Sequence, residues 1–346
     1  MNRVWQRIPL TRTRMSPAPA AALFCCNCFF MLATATSAHA EPLHDHDNGP
    51  LTGFFGIPDS TEGSLLVPAG ASRWDLLLQS SSHSIFDVEE NETVLFDGET
   101  TRLELNYRRG VGEHWEVGIE LPYVWHETGG LDQLVSSWHD WTGLPGAFRV
   151  TRPKDQLEFI YQDPTGTVVD FDANANGPGD LRLISGYRPF PGQHPGFAIR
   201  FGLKLPTGDS ANLMGSGGTD VSLGIAGDSV EFLGVTGLSA FYRLSAVFVG
   251  EPDVLGDRHR EVMGHTSFGL GYALGSSVDL RLQGALRTAA YDSDVEVLGD
   301  PSGTLNFGAI FRLSDRTRRA VGVGEVVLVR SAPDVTLQVS LRYQSR

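Results

Sequence analysis

Oxygen-bearing side chains at alternate positions make one stretch of the chain suited to bind a metal. Asp172, Asn174 and Asn176 precede a glycine, as the ligands in the first half of a calcium-binding loop do. Asp180 could serve as a later ligand, but Leu183 stands where such a loop needs a bidentate glutamate. Calcium is therefore a weak alternative to the expectation of no metal and no cofactor.

Carboxylates and nucleophiles elsewhere do not form a recognisable catalytic set. Glu116 and Glu120 could in principle carry out acid–base chemistry, but they share one face of a predicted strand, where arginines on adjacent strands would pair with them. The sequence has no G-x-S-x-G nucleophile elbow and no P-loop. All three cysteines lie at positions 25–28, inside the predicted leader, which excludes cysteine catalysis in the remaining chain. We therefore expect no enzymatic activity.

The first 40 residues are predicted to be a secretory signal peptide. Four arginines precede an apolar run from Ala21 to Ala38, and small residues surround a cleavage position after Ala40. A transmembrane anchor is the alternative, which the short, alanine-rich run disfavours. Residues 41–70 follow as an irregular segment punctuated by proline and glycine. Its His44–Asp47 run is predicted to be solvated, with metal binding as the less favoured alternative.

Acidic residues outnumber basic residues in this chain. There are 27 lysines and arginines against 41 aspartates and glutamates, a net charge of −14. Without the four leader arginines the net charge falls to −18. Nucleic-acid binding is therefore disfavoured, because phosphate neutralisation needs a basic surface. Beyond the leader, no stretch of about 18 residues lacks charge, so the sequence does not predict a membrane-spanning helix.

Apolar and polar residues alternate with period two in twelve segments, which predicts strands with two different environments. Connections after even-numbered strands are mostly short and those after odd-numbered strands mostly long, as in outer-membrane barrels. A soluble sandwich shares the alternation but not this rhythm of connections. The fold class is therefore predicted to be all-β, an antiparallel transmembrane β-barrel of about 12 strands over residues 71–346. The predicted strands are Ser72–Ser80, Thr100–Arg109, His114–Trp125, Asp180–Pro189, Phe197–Leu205, Asp220–Gly227, Leu238–Val249, Val262–Leu274, Val278–Thr288, Thr304–Leu313, Glu325–Val329 and Val335–Tyr343.

The polar faces of the predicted strands would line the lumen of the barrel. Their charges are of both signs, and buried charges must be paired, so we expect ion pairs that cross the lumen. The same residues are the candidates for contact with a small-molecule ligand. These lumen candidates are Arg102, Glu104, Glu116, Glu120, Arg182, Arg200 and Lys204.

A short amphipathic helix is predicted at residues 131–141, inside the long connection 124–179, because apolar side chains recur there at i, i+3, i+4 and i+7. We hypothesise that this helix gates or plugs the lumen; a packed cap with only a structural role is the alternative. Either this helix or the irregular N-terminal segment is expected to narrow the lumen. The acidic stretches Asp87–Glu99 and Asp292–Asp300 are predicted to be solvated outer loops.

Seven motifs occur in order between residues 48 and 217. They are NGPL at Asn48, LFDGET at Leu95, WEVGIELP at Trp115, WHD at Trp138 with GLP at Gly143, GDLR at Gly179, LKLPTGD at Leu203 and GSG at Gly215. With these motifs the chain resembles the bacterial domain of unknown function 3187 family of outer-membrane β-barrel proteins. The resemblance implies an exported, barrel-like envelope protein. Because the family has no assigned activity, it implies no functional residue.

We expect the protein in the cell outer membrane, in contact with its lipid and lipopolysaccharide. The last strand resembles the terminal strand that the barrel-assembly machinery recognises, with Tyr343 in the third-from-last aromatic position but Ser345 in the usual terminal one. The predicted function is a passive, porin-like channel or transporter for small molecules. A closed-lumen structural or adhesive envelope protein is the alternative, and an outer-membrane lipid-modifying enzyme is less favoured.

Overall fold

The computed structural model describes residues 41–89, 91–142, 152–192, 195–328 and 335–345. None of the helices in these ranges is long and apolar enough to cross a membrane. The strands are β1 (Ser72–Glu89), β2 (Glu92–Val111), β3 (Trp115–Glu127), β4 (Glu158–Asp163), β5 (Gly166–Phe171), β6 (Ala175–Pro178), β7 (Leu181–Tyr187), β8 (Gly196–Leu205), β9 (Asp220–Val230), β10 (Leu238–Phe248), β11 (Val262–Leu274), β12 (Val278–Arg287), β13 (Ser302–Arg312), β14 (Thr317–Leu328) and β15 (Val335–Gln344). The helices are α1 (Asp132–Thr142) and α2 (Glu296–Gly299), and single 3₁₀ turns lie at Ser210–Asn212 and Phe232–Gly234.

Twelve of these strands form one closed antiparallel barrel, which confirms the predicted fold class. β1, β2 and β3 pair in sequence, β3 then pairs with β7, and each strand from β7 to β15 pairs with the next. The pairing of β1 with β15 closes the wall over ten residues, from Arg73 opposite Gln344 to Ser82 opposite Val335. A closed wall leaves no unpaired sheet edge, which is the condition for a sheet to cross lipid.

Side-chain burial along the barrel strands is inverted relative to a soluble protein. In β1, Trp74, Leu76 and Leu78 are exposed on the outer surface, whereas Arg73 and Asp75 are buried. Leu78 keeps 47% of its surface exposed and Asp75 keeps 2%. A soluble sandwich would bury the leucines and expose the charges. The outer face is therefore the lipid face, and the polar face lines the lumen.

Aromatic rings mark the two limits of the apolar band. Trp115 packs on Tyr187 with ring centroids 4.7 Å apart, beside the short turn after β2. Tyr123 packs on Trp125 at 4.6 Å towards the opposite end of β3. The ten residue-to-residue steps from Trp115 to Trp125 span roughly 25 Å at about 3.3 Å per residue and a tilt of about 40°, which is the height of a lipid-facing band. We call the end with the short turns the turn end and the opposite end the loop end.

β14 is longer than the sequence pattern predicts. The pattern predicts Glu325–Val329, whereas β14 begins at Thr317, so only a short turn follows β13. The sequence pattern misses the first part of the strand, because Gly322 and Gly324 stand where the alternation would need polar side chains. Gly322 faces the lumen, where a Cβ would lie 3.3 Å from Leu43. The glycine therefore makes room for the N-terminal residues that enter the lumen.

β1 and β2 continue past the end of β3 as a hairpin that projects beyond the loop end. There β4 pairs with β2 and β5 pairs with β4, which makes a four-stranded extension. The prediction of a solvated loop at Asp87–Glu99 is wrong, because most of these residues are in strands and Asp97 and Glu99 are buried. In Asp292–Asp300 the acidic residues Asp292, Asp294, Glu296 and Asp300 are exposed, as predicted, although the stretch also contains α2 and buries Leu298.

Residues 41–70, which we call the lumen segment, contain no helix or strand. Residues 41–64 are buried or partly buried inside the barrel, whereas Leu65 and residues 68–70 are exposed. The segment starts at the turn end, reaches the loop end near Leu51 and returns to the turn end near Ser64, which bonds to Asp228 of β9. The prediction that His44–Asp47 is solvated is wrong. His44 is buried, and its imidazole lies 3.2 Å from Asp59 on the returning limb of the segment.

A charge on the outer face should destabilise the protein if that face meets lipid. Leu78 lies near the middle of the apolar band, so Leu78→Arg should cost about 2–4 kcal/mol of unfolding free energy in lipid vesicles. Leu313→Arg is the matched control, because Leu313 is exposed in the turn after β13, where the cost should be about 0–1 kcal/mol. Urea unfolding followed by tryptophan fluorescence measures both. Equal, small costs would mean that water covers Leu78.

Candidate functional site

At the turn end, the lumen segment is held by its first residues. The Glu41 carboxylate accepts hydrogen bonds from Arg318 of β14 and Arg342 of β15, and its carbonyl accepts one from Arg281 of β12. The Leu43 N–H donates to the Gln283 side-chain oxygen at 3.1 Å, and the Leu43 carbonyl accepts from the Gln283 nitrogen at 3.3 Å. The start of the segment thus bonds to three strands of the wall.

In the middle of the lumen, one carboxylate of the segment is held by two arginines. Glu62 Oε1 lies 3.1 Å from Arg182 Nη1 of β7, and Glu62 Oε2 lies 3.4 Å from Arg243 Nη2 of β10. The neighbouring Gly63 carbonyl accepts a 2.7 Å hydrogen bond from Arg200 Nε of β8. Both oxygens of Glu62 are therefore held by guanidinium groups of strands that are not neighbours in the sheet.

Towards the loop end, two further contacts join the segment to the wall. Asp47 pairs with Arg287 at the end of β12. The Gly56 N–H donates to Asp220 Oδ2 of β9 at 2.7 Å. Contacts of charged groups therefore follow the segment along the whole lumen.

The wall also pairs its charges internally. Arg108 lies 3.3 Å from Glu116 and 3.4 Å from Glu120, and Arg200 pairs with Glu116. Lys204 lies 2.9 Å from Asp180, and its ammonium also contacts Asp220 at 3.3 Å. In a poorly hydrated interior an unpaired charge costs several kcal/mol, so these pairs keep the folded wall stable.

Among the described residues, basic side chains outnumber acidic ones on the lumen wall. The comparison takes every wall side chain that bonds or ion-pairs inside the lumen, with the wall or with the lumen segment. The twelve basic ones are Arg73, Arg102, Arg108, Arg182, Arg200, Lys204, Arg243, Arg281, Arg287, Arg312, Arg318 and Arg342. The eight acidic ones are Asp75, Glu104, Glu116, Glu120, Asp180, Asp220, Asp228 and Asp279.

All seven lumen candidates from the sequence belong to this set and are buried on the inner face. Arg102 and Glu104 pair with each other on β2, with Arg102 Nε 2.8 Å from Glu104 Oε2. Arg182 pairs with Glu120 as well as with the lumen segment. The expected ion pairs across adjacent strands are thus present, and contact with a small-molecule ligand stays a prediction.

An apolar cluster closes the loop end over the tip of the lumen segment. Phe55 packs on Tyr291 at a centroid distance of 5.6 Å, and the Tyr291 hydroxyl donates to the Leu51 carbonyl at 2.5 Å. The cluster combines the segment tip with β1, β2, the β4–β5 hairpin and three outer connections. Its buried members include Leu51, Phe54, Phe55, Ile57, Ile85, Val94, Phe96, Phe159, Tyr161, Phe171, Leu213, Val249, Val254, Leu255, Tyr291, Val295 and Leu298.

Arg258 joins the connection between β10 and β11 to the four-stranded extension of β1, β2, β4 and β5. Its Nη1 lies 2.5 Å from Glu92 and its Nη2 lies 2.7 Å from Asp163, while the guanidinium carbon is 5.8 Å from the centre of the Tyr161 ring. Burial, reinforced by the Glu92 carboxylate, raises the pKa of the Tyr161 hydroxyl to about 12. Tyr161 therefore stays neutral beneath the arginine.

The four calcium candidates are not brought together. Asp180 is buried in the lumen, where its carboxylate accepts from Lys204 and from the backbone N–H groups of Gly208 and Ser216. Asn176 instead accepts from the Tyr123 hydroxyl at 2.6 Å on the outer side of the wall. Asp172 and Asn174 are exposed. Within the described ranges, no group of three or more His, Cys, Asp or Glu residues is placed to hold a metal ion.

The predicted amphipathic helix exists as α1, but it is not inside the lumen. The Glu99 carboxylate accepts hydrogen bonds from the N–H groups of Gly130 and Leu131, just before α1. Glu99 shares the outward face of β2 with the exposed Leu105, so it anchors the helix outside the wall. The hypothesis that this helix plugs the lumen is wrong, because the lumen segment fills the lumen instead. Gating by the helix stays a hypothesis.

The sequence predicts that a loop helix or the N-terminal segment narrows the lumen, but it points to no residue of this segment as part of the site. The available signal was its charge, since residues 41–70 contain five carboxylates and no lysine or arginine. A segment with five carboxylates and no lysine or arginine, beside strands whose polar faces carry many arginines, indicates a complementary pair. The absence of regular periodicity hid this, because the segment needs neither helix nor strand to follow the lumen.

A family model described as "Protein of unknown function (DUF3187)" matches residues 22–345, nearly the whole chain. The chain belongs to the DUF3187 family. The resemblance seen in the sequence motifs is thereby confirmed, and the family description assigns no activity. No curated protein matches this DUF3187 chain.

Solved structures similar to this DUF3187 protein are outer-membrane barrels. The COG4313 outer membrane channel from Pseudomonas putida F1 is 14% identical with a TM-score of 0.51, over 84% of this chain and 99% of the channel. The NanC porin is 9% identical with a TM-score of 0.42, over 79% and 98%. The Ralstonia pickettii toluene transporter TbuX is 11% identical with a TM-score of 0.40, over 87% and 98%. At these identities the first likeness shows the fold alone, and the other two are weaker.

Removing one carboxylate from the wall network should destabilise the barrel. Glu116→Gln takes a negative charge from between Arg108 and Arg200, and breaking a buried pair in this way costs about 3–5 kcal/mol. Glu113→Gln is the matched control, because Glu113 is exposed in the turn before β3 and should change stability by less than about 0.5 kcal/mol. Urea unfolding in vesicles compares the two. A similar small change in both would show that water already screens the lumen pairs.

Proposed function

We propose that this protein is a passive channel or transporter for small molecules in the outer membrane, closed in this structure by the lumen segment. The observation that carries the proposal is the pairing of wall charges with one another. Arg108, Arg200 and Lys204 keep carboxylate partners on the wall when the segment is disregarded. A lumen wall that pairs most of its charges itself can persist as a hydrated pore after the segment moves, because water can solvate the arginines that lose a partner.

The contacts between the lumen segment and the wall are of a kind that would allow the segment to withdraw from the lumen. Its bonds to the wall are ion pairs and hydrogen bonds, which water can replace. The strongest apolar hold is the tip, where burial of Leu51, Phe54 and Phe55 contributes about 1.5–3 kcal/mol each. No secondary structure has to unfold for the segment to withdraw towards the turn end. The barrel wall and the segment can therefore behave as separate units.

The same topology supports export to the outer membrane. A signal peptide cleaved after Ala40 would release the chain at Glu41, and Glu41 lies at the turn end. Short turns face the periplasm in outer-membrane barrels, so the new N-terminus would lie on the side where cleavage occurs. Barrel-assembly machinery and lipopolysaccharide are the partners that this location implies. In this proposal the protein catalyses no reaction.

A closed-lumen structural or adhesive protein is the second candidate. The observation that favours it is the apolar cluster at the loop end, which joins the segment tip to the outer connections as a folded core would. A lipid-modifying enzyme is less favoured, because the buried charges of the lumen are explained by ion pairing.

Deleting residues 43–66 tests the channel directly. We expect the intact chain to show rare or no conductance steps in planar bilayers, because the lumen is filled, and the deletion variant to show stable open steps. Heat-modifiable migration in gels shows whether the variant still folds as a barrel. A folded variant that conducts nothing would favour the closed-lumen protein and overturn the proposal.

A point substitution at the segment tip should open the intact channel. Phe55→Asp removes apolar burial and places a charge in the cluster, so it should raise the open probability at least about tenfold, the factor for 1.4 kcal/mol. Phe86→Asp is the matched control, because Phe86 is exposed on the outer face of β1. Single-channel recordings at one voltage compare them. An equal effect of both substitutions would exclude the tip as the closing element.

A further inference from the structure

We propose that the solutes of this channel are small oxyanions, such as carboxylates and phosphates, and that carboxylates of the lumen segment occupy their positions on the wall. This inference rests on the proposed function, because it describes the lumen after the segment has left. Its basis is the charge of the two parts and the way in which arginines hold individual carboxylates.

The segment and the wall carry complementary charges. The segment has five carboxylates and no lysine or arginine. The described lumen wall has twelve basic and eight acidic side chains in lumen contacts, an excess of four positive charges. The mature chain as a whole is strongly acidic, so this basic excess is specific to the lumen. An open lumen would therefore attract anions and repel cations.

The Glu62 contacts have the geometry of an anion site. Arg182 approaches one carboxylate oxygen and Arg243 approaches the other, at 3.1 and 3.4 Å. Arg243 also donates to the Glu62 carbonyl at 2.5 Å. Two guanidinium groups that converge on the two oxygens of one group are suited to carboxylate or phosphate, because planar guanidinium forks match these anions. Arg182 keeps Glu120 when Glu62 leaves, whereas Arg243 loses its carboxylate partner.

A second site of the same kind lies at the turn end. Arg318 and Arg342 project from neighbouring strands and bond to the two oxygens of the Glu41 carboxylate. Towards the loop end, Arg287 holds Asp47. Arginines therefore hold segment carboxylates near both ends and in the middle of the lumen. Successive weak sites of one charge sign allow an ion to pass from one to the next.

Reversal potentials of the variant that lacks residues 43–66 test the inference. With a tenfold KCl gradient across a planar bilayer, we expect chloride to be preferred over potassium by about threefold or more. Arg243→Gln with Arg287→Gln should move the preference towards equal permeability, because the deletion removes Glu62 and Asp47, their carboxylate partners on the segment. Arg319→Gln is the matched control, since Arg319 is an exposed neighbour of Arg318 and should leave the preference unchanged. Acetate and phosphate then replace chloride as probes of the oxyanion class.

The outcomes separate this inference from the proposed function. Open steps without anion preference, or with potassium preferred, would overturn the inference and leave the channel in place. A folded variant with no conductance would overturn both. If the deletion variant does not fold, the full chain serves instead. There Glu62→Gln should raise the open probability and Glu62→Asp should restore closure, because only the aspartate keeps a carboxylate for Arg182 and Arg243. Equal behaviour of the two substitutions would contradict the carboxylate's role.

Discussion

Pairing of buried charge is the constraint on which this protein depends. Its barrel turns apolar side chains towards lipid and charged ones inward, so a narrow lumen has to accommodate many ionised groups. Adjacent strands solve part of the problem, as Glu116 does between Arg108 and Arg200. The lumen segment solves the rest by placing Glu62 and Glu41 against arginines that exceed the wall's own acids. The same segment therefore fills the lumen and neutralises the excess positive charge of its wall.

The fold could be predicted from the sequence because residues of a barrel strand alternate between lipid and lumen, which gives an apolar–polar pattern of period two. Leu76 and Leu78 alternate with Asp75 in the primary structure as they do in the wall. The same alternation placed Glu116 and Arg200 on the inner face. It failed where glycine replaces a side chain, as at Gly322 in β14. It also failed beyond the lipid band, where the acidic hairpin ends form strands packed against other loops and both faces are covered.

The candidate site was less predictable, because half of it has no repeating pattern. The wall residues follow from strand periodicity, but the path of residues 41–70 follows only from contacts distant in sequence, such as Gly56 with Asp220. The helix shows the opposite difficulty. Its apolar face is evident at 131–141, yet that face does not say which side of the wall it meets. A carboxylate at Glu99 decides this by holding the backbone before α1.

The route of the lumen segment also bears on how the barrel closes. The segment is continuous with β1, and its first residues bond to Arg318 and Arg342 on β14 and β15; the His44 carbonyl accepts from Gln338 of β15 at 2.8 Å. β1 and β15 are the two strands that meet last along the chain. The segment therefore forms a second, non-strand connection between the edges that must find each other. The seam is therefore held from inside the lumen as well as by the strand pairing along the wall.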